Sequence, residues 1–372
     1  VADTSVQGTV AETYSAVRTA FEENLSSGAD VGASFCASVN GETVVDIWGG
    51  LADQDEARAW QRDTIVNVYS ITKTMTALTA LLVADRGELD FARPVAHYWP
   101  EFAAAGKKDV TVAHLMSHSA GLSSWREPLV AEDLYDWEKV TSLLAAQEPY
   151  WKPGTASGYH SVTQGFLVGE VIRRITGRAV GTVFREEIAE PLRADFHMGL
   201  PASEDARVAT LIPPPPRELW QHPTEVQRSQ ANPRLDVSLT RTRAWRGAEI
   251  PAAGGTSNAR AVAQIQTILA TGGEAGGRRF LSEAGCRKAL EVQIEGTDLV
   301  LGVPMRFGLG FAVNNGLMPN PNTIFWGGYG GSLVIIDMDA GISMSYVMNK
   351  MAPVTAGGTR AFSMIVGVWA GV

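Results

Sequence analysis

Apolar residues recur at helical spacing between Met75 and Leu82, at Met75, Leu78, Leu81 and Leu82. That spacing predicts a helix ending near Gly87. A second amphipathic helix is expected from Thr9 to about Leu25, and a third over "TQGFLVGEVIRRITGR", stopped by Thr176 and Gly177. Two apolar runs, Ala33 to Asn40 and Thr43 to Gly50, are joined by Asn-Gly-Glu, a strong hairpin signal. From Phe91 to Ala252 the pattern is mainly helical with long loops. Strands return at "FGLGFAV", "NTIFWG", "GSLVIIDMD" and "ISMSYVMN", and a helix from about Thr359 to Val368 closes the chain. This order predicts an α+β fold. An antiparallel sheet is built from both chain ends (residues 1–69 and 253–372), with a mainly helical domain (70–252) inserted between them.

Composition narrows the partners. The chain has 372 residues, 45% hydrophobic and 19% charged, with formal net charge -9. That is a globular composition, and its acidic balance argues against nucleic acid and anionic membrane surfaces. Cys36 and Cys286 are far apart, and Cys36 sits in an apolar run that predicts a buried free thiol. The first 25 residues carry no signal-type apolar run, and no stretch reaches transmembrane length without charges or breakers. A cytoplasmic location is the expectation.

The chemistry starts at Ser70 and Lys73, the one serine–lysine pair at this spacing in the chain. Residues i and i+3 of a helix share a face, so hydroxyl and amine would meet. Serine needs a base beside it, and lysine serves as one when burial lowers its pKa. The bland alternative is a serine N-cap, and one S-x-x-K per chain of this length is about what composition gives. The position decides between them: the pair follows a hairpin and opens a long apolar helix, where the serine acyl-enzyme motif belongs. No G-x-S-x-G elbow, H-E-x-x-H zinc motif or P-loop competes. No metal or cofactor is expected. Tyr159 stands in a loop just before a helix, where a phenol could relay a proton; alone it would read as a half-buried aromatic. "WGGYGG" sets Trp326, Gly327, Gly328 and Tyr329 at a strand edge, where glycines let backbone approach a ligand. An N–H from this edge, with that of Ser70, could form an oxyanion hole.

Together these stretches resemble the serine β-lactamase and penicillin-binding-protein superfamily, and within it the family VIII carboxylesterases. "SITK" fits S-x-x-K, "HLMSHSAGL" resembles a structural element of the family, and "KPGTASGYH" matches the stretch carrying its tyrosine. "PAAGGTSNARAVAQ" resembles the return toward the sheet, and "WGGYGG" stands where β-lactamases have K-T-G. The resemblance implies a central antiparallel sheet flanked by helices, with the cleft between the two domains. It implies Ser70 as the acyl-accepting nucleophile, and Lys73 with Tyr159 as the proton-transfer pair. The amides of Ser70 and Tyr329 would be the oxyanion hole, with Trp326, Gly327, Gly328 and Ser161 along the substrate pocket.

The departures bear on substrate. The usual Y-x-N reads Tyr159-His160-Ser161, and the K-T-G lysine is replaced by Trp326. Losing a charge-assisted contact to an anionic substrate costs about 1.5–3 kcal/mol. Neutral small-molecule esters with apolar parts are therefore expected, through an apolar wall at Trp326. The same acyl-serine chemistry leaves an amide, β-lactam or D,D-peptidase activity as the alternative, and a non-catalytic binding protein as a weaker one. "IPPPP" (212–216) reads as a stiff surface loop. Trp125, Trp137 and Trp220 read as packing residues, His118 as hydrogen-bonded structure, and Lys107 with Lys108 as a solvated pair.

Overall fold

The first expected helix starts late. In the computed structural model, which describes residues 5–216, 220–354 and 358–372, Gln7–Val10 form an edge strand, β1, and α1 spans Ser15–Ser26. Gly8 explains the difference: at φ 95° it lies so close to the neighbouring strand that a Cβ would stand 2.0 Å from the Asp46 carbonyl oxygen. The expected hairpin forms as β2 (Gly32–Val39) and β3 (Glu42–Asp53). Asn40 and Gly41 turn it with φ of 49° and 85°, as a two-residue hairpin loop requires. A short strand, β4 (Arg58–Ala59), pairs with β3.

The C-terminal strands complete one antiparallel ten-stranded sheet. They are β5 (Ile294–Thr297), β6 (Pro304–Phe307), β7 (Ala312–Val313), β8 (Thr323–Gly327), β9 (Leu333–Asp337) and β10 (Ile342–Met348). The order is β1-β3-β2-β10-β9-β8-β7-β6-β5, so strands from the two chain ends meet where β2 pairs with β10. The run "FGLGFAV" is not one strand. It breaks between β6 and β7 because Gly310 dips against the helix carrying Lys73, where a Cβ would stand 2.3 Å from that of Ala77.

Alternation sorts the sheet's faces. Phe35, Ile335, Met344 and Tyr346 join Val17, Phe21, Met364 and Val368 in one core under α1 and the last helix. Cys36, Val334, Ile336 and Val347 face the opposite core. On that side small residues admit a close helix: Ser343 Oγ donates to Ala263 O at 2.8 Å and Ala259 N to Ser34 Oγ at 3.2 Å.

Three further helices position the site. α2 (Thr72–Asp85) is buried on every side from Thr72 to Val83, so it forms the spine of the core rather than a surface helix. Its threonines close their hydroxyls inward, Thr74 on Ile71 O and Thr76 on Pro251 O. α3 (Thr163–Thr176) stops at Gly177, φ 70°. α4 (Ala259–Ala270), capped by the Asn258 side chain, covers the sheet, and α5 (Thr359–Trp369) ends the chain. A small three-stranded sheet, Val66–Asn67 with Thr256–Ser257 and Phe196–His197, ties the return segment to the start of α2.

Lys107 corrects the expectation of a solvated pair. It is fully buried, and its ammonium donates to the carbonyls of Ala104 and Gln147; burial lowers its pKa to about 8. Cys36 and Cys286 are both buried free thiols. Among the described residues no helix is long and apolar enough to cross a membrane.

Candidate active site

Ser70 lies in a single 3-10 turn, Tyr69–Ile71, directly ahead of α2, and its side chain caps no helix. Tyr69 holds φ at 44°, a left-handed conformation that costs a bulky residue on the order of 1–3 kcal/mol and is kept only where its surroundings enforce it. Those surroundings are specific. Thr72 Oγ1 donates to Tyr69 O at 2.5 Å and itself accepts from Gly255 N at 2.9 Å. Val68 N donates to Gly255 O at 2.9 Å. Val68 O accepts from Ser332 Oγ at 3.3 Å. The turn is thus pinned from the return segment and from the β8–β9 connection at once.

The three polar groups converge. Lys73, one helical turn on, points its Nζ at Ser70 Oγ at 3.1 Å, and Tyr159 OH lies 2.6 Å from the same oxygen. Lys73 Nζ also donates to Ser161 O at 2.6 Å and to Ala252 O at 3.0 Å, and sits 4.9 Å from the Tyr159 ring centre. Ser70 keeps 9% of its surface exposed while Lys73 keeps 1%. The serine is reachable and the amine is not.

Burial drives the pKa values of the two partners apart. The Lys73 amine is pushed well below its ordinary value by desolvation. The Tyr159 phenol is pushed up to about 12 by burial, partly offset by bonds from Ser70 and Trp326. A neutral amine has two N–H bonds and one lone pair. With Ser161 O and Ala252 O accepting those two hydrogens, the neutral form would keep its lone pair for Ser70 Oγ.

The glycine-rich edge lies against the serine turn. Gly328 packs on Val68 O so closely that a Cβ would stand 2.5 Å from it. Tyr329, 41% exposed, meets Tyr69 edge-on with ring centres 5.6 Å apart. The amides of Gly328, Gly330 and Gly331 all bond backbone carbonyls. Among the described residues no backbone acceptor takes the amide of Ser70 or of Tyr329. These are the two N–H groups expected at an oxyanion hole.

Trp326 departs from the expectation of an open apolar wall. It is 5% exposed, stacked on His118 at 5.3 Å and packed against Phe307 and Tyr159 at 5.7 and 5.9 Å. It backs the phenol instead of facing solvent, because β8 points its side chain into the core. Gly327 stands half-buried beside it. Ser161 contributes its carbonyl to Lys73, and its hydroxyl donates to Gln230 Oε1 at 3.2 Å.

His118 and His160 are structural. His118 Nδ1 accepts from His160 N at 3.0 Å, and His160 Nε2 accepts from Leu122 N at 3.1 Å. Both are fully buried, and desolvation keeps them neutral, His160 falling to about 4. Trp125 donates to Val140 O, Trp137 to Glu170 and Trp220 to Val300 O. Sequence reasoning missed Ala252, Thr72 and Asp298, whose contributions are a carbonyl, a turn bond and a backbone clamp. None carries a local signal.

Comparison with known proteins adds the following. The beta-lactamase family profile matches residues 17–366. The chain is similar to Esterase/beta-lactamase LipL of Mycobacterium tuberculosis, 35% identical over 339 residues that cover 86% of this chain and 77% of LipL. It is similar to a family VIII carboxylesterase of known structure at 42% identity and TM-score 0.95, covering 99% of this chain and 100% of that one. A penicillin-binding protein homolog from Caulobacter crescentus aligns at 36% identity and TM-score 0.94, over 99% of this chain and 100% of its own.

Proposed function

The chain belongs to the beta-lactamase family, and on that premise we propose that it is a carboxylesterase working through an acyl-enzyme on Ser70. The observation that carries the reading is the Lys73 amine, buried with two carbonyl acceptors and Ser70 Oγ at 3.1 Å. Held neutral, it takes the Ser70 proton as Oγ attacks the ester carbonyl. The oxyanion that forms accepts N–H bonds from the Ser70 and Tyr329 amides. Tyr159, protonated and bonded to Ser70 Oγ, passes a proton to the departing alkoxide and is recharged from Lys73. An ester of Ser70 remains. Water then attacks it with the same pair taking the proton, and the carboxylic acid leaves as Ser70 recovers its hydrogen.

The substrate reading follows from Trp326. An indole occupies the place where a family relative offers a cation, so a carboxylate-bearing substrate gains no ion pair there. Neutral small-molecule esters fit better, with the half-exposed Tyr329 ring and the Gly327–Gly328 backbone beside the serine. A β-lactam or linear amide would use the same serine. An ester panel run beside nitrocefin, with Ser70→Ala as control and a fluorophosphonate label located by mass spectrometry, tests the reading. Labelling at Ser70 with ester turnover is expected; turnover that survives Ser70→Ala would overturn it.

A further inference from the structure

Asp298 lies in the connection between β5 and β6, is 0% exposed and belongs to none of the motifs above. One oxygen, Oδ1, accepts three backbone amides: Tyr159 at 3.0 Å, Val300 at 2.9 Å and Leu301 at 2.8 Å. The loop closes on itself through Asp298 N to Val303 O at 3.0 Å and Gly302 N to Asp298 O at 2.8 Å. It reaches the tyrosine segment at one other point, Leu299 N to Ser157 O at 2.8 Å. Oδ2 is buried with no hydrogen-bond partner among the described residues.

A loop cap alone does not account for this arrangement. The turn amides of Val300 and Leu301 could be met by a serine or asparagine, and a carboxylate with one oxygen buried and unpaired is costly. What the carboxylate adds is a charge-assisted bond to the amide of Tyr159, the residue whose hydroxyl sits 2.6 Å from Ser70 Oγ. The two flanking amides are held by a different residue, His118. Gly158 N bonds His118 O and His160 N bonds the His118 ring, so Tyr159 itself is fixed at its backbone by Asp298.

We propose that Asp298 is a positioning residue for the proton transfer to the leaving alcohol, clamping the Tyr159 backbone so that its phenol meets Ser70. The proposal rests on the esterase reading and on Tyr159 as the proton donor. Its signature is dependence on the leaving group. An alkoxide needs a proton to depart and a p-nitrophenolate does not, so a displaced phenol slows alkyl esters selectively, whereas general loosening of the site slows both alike.

The test compares kcat/KM, which reads acylation, for ethyl butyrate and p-nitrophenyl butyrate in the full-length protein. Asp298→Ala is expected to lose about 10- to 100-fold more on the ethyl ester than on the aryl ester. Asp298→Asn, which keeps the Oδ1 acceptor without its charge, should recover part of that loss. Asp298→Glu moves the carboxylate one methylene outward and should bring the bias back, so it carries the test should the alanine variant not fold. Equal losses on both esters in Asp298→Ala and Asp298→Glu, or no loss in either, would overturn the proposal. Tyr159→Phe separates the two layers. If it shows the bias and the Asp298 variants do not, only the clamp is wrong; if it shows none, the role given to Tyr159 fails first.

Discussion

Two buried clusters of this protein each place a basic side chain beside a phenol, and they differ in whether an anion accompanies it. On the opposite face of the sheet Arg360 donates to Asp30 Oδ1 at 2.7 Å, and Tyr346 OH donates to the same carboxylate at 2.6 Å. In the cleft Lys73 and Tyr159 flank Ser70, and the amine has two carbonyls where Arg360 has an anion. The first cluster is a compensated ion pair. It also ties α5 to the β8–β9 connection, since Arg360 Nη2 donates to Gly330 O at 3.0 Å. The second lacks the compensation, and that makes it reactive. A buried amine without a counter-charge gives up its proton and becomes a base. Burial of charge thus builds structure in one place and chemistry in the other.

The contrast can be broken from either side. The largest effect is expected for Ser70→Ala, with kcat on a p-nitrophenyl ester falling by about 10⁴–10⁶ and the thermal midpoint changing little. Tyr159→Phe should lower kcat by roughly 10²–10⁴, measured with an alkyl ester, whereas Tyr346→Phe should leave kcat unchanged and weaken folding by about 1.5–3 kcal/mol in denaturant titration. Asp30→Ala strands the Arg360 charge and should cost about 3–5 kcal/mol of stability, with activity per folded molecule preserved. Lys73→Met is the mirror case: activity is lost, and the cost in stability stays below that of Asp30→Ala, because two neutral carbonyls and no charge lose their partner.

The smallest and sharpest effect is in pH. Lys73 titrates in the folded protein well below the 10.5 of a free lysine. Activity should therefore fall as acid protonates the amine. Between the lowered value and 10.5 the unfolded chain binds a proton that the folded chain does not. Stability should accordingly rise with pH across that window. Lys107 contributes a rise of the same sign, so the Lys73 share is the part of the slope that Lys73→Met removes; identical slopes in the two proteins would mean that the Lys73 amine is not desolvated.

Much of this was legible along the chain. Asn40-Gly41 announced its hairpin because two consecutive positive φ angles suit few residues. Gly177 announced the end of α3, and the spacing of Ser70 and Lys73 announced their meeting on one helical face. The errors share a cause. Lys107 read as solvated because charge is normally exposed; two helix-end carbonyls, from Ala104 and Gln147, receive it inside. Trp326 read as a wall because a strand's two faces look alike in sequence until the core chooses one. Thr9 and Val10 read as helix because the strand they pair with is far along the chain, at Asp46 and Val45.

By itself the sequence determined most helices and strands and a serine–lysine pair one helical turn apart, which depend on neighbours within a few residues, and the order of those elements pointed to a sheet made from both chain ends. Only the tertiary structure decided that the amine would be buried with carbonyls alone and that the phenol would stand 2.6 Å from Ser70 Oγ. It also decided that a carboxylate 139 residues further on would hold the Tyr159 backbone. Those outcomes are set by desolvation and by contacts between distant segments, and neither quantity exists until the chain has folded.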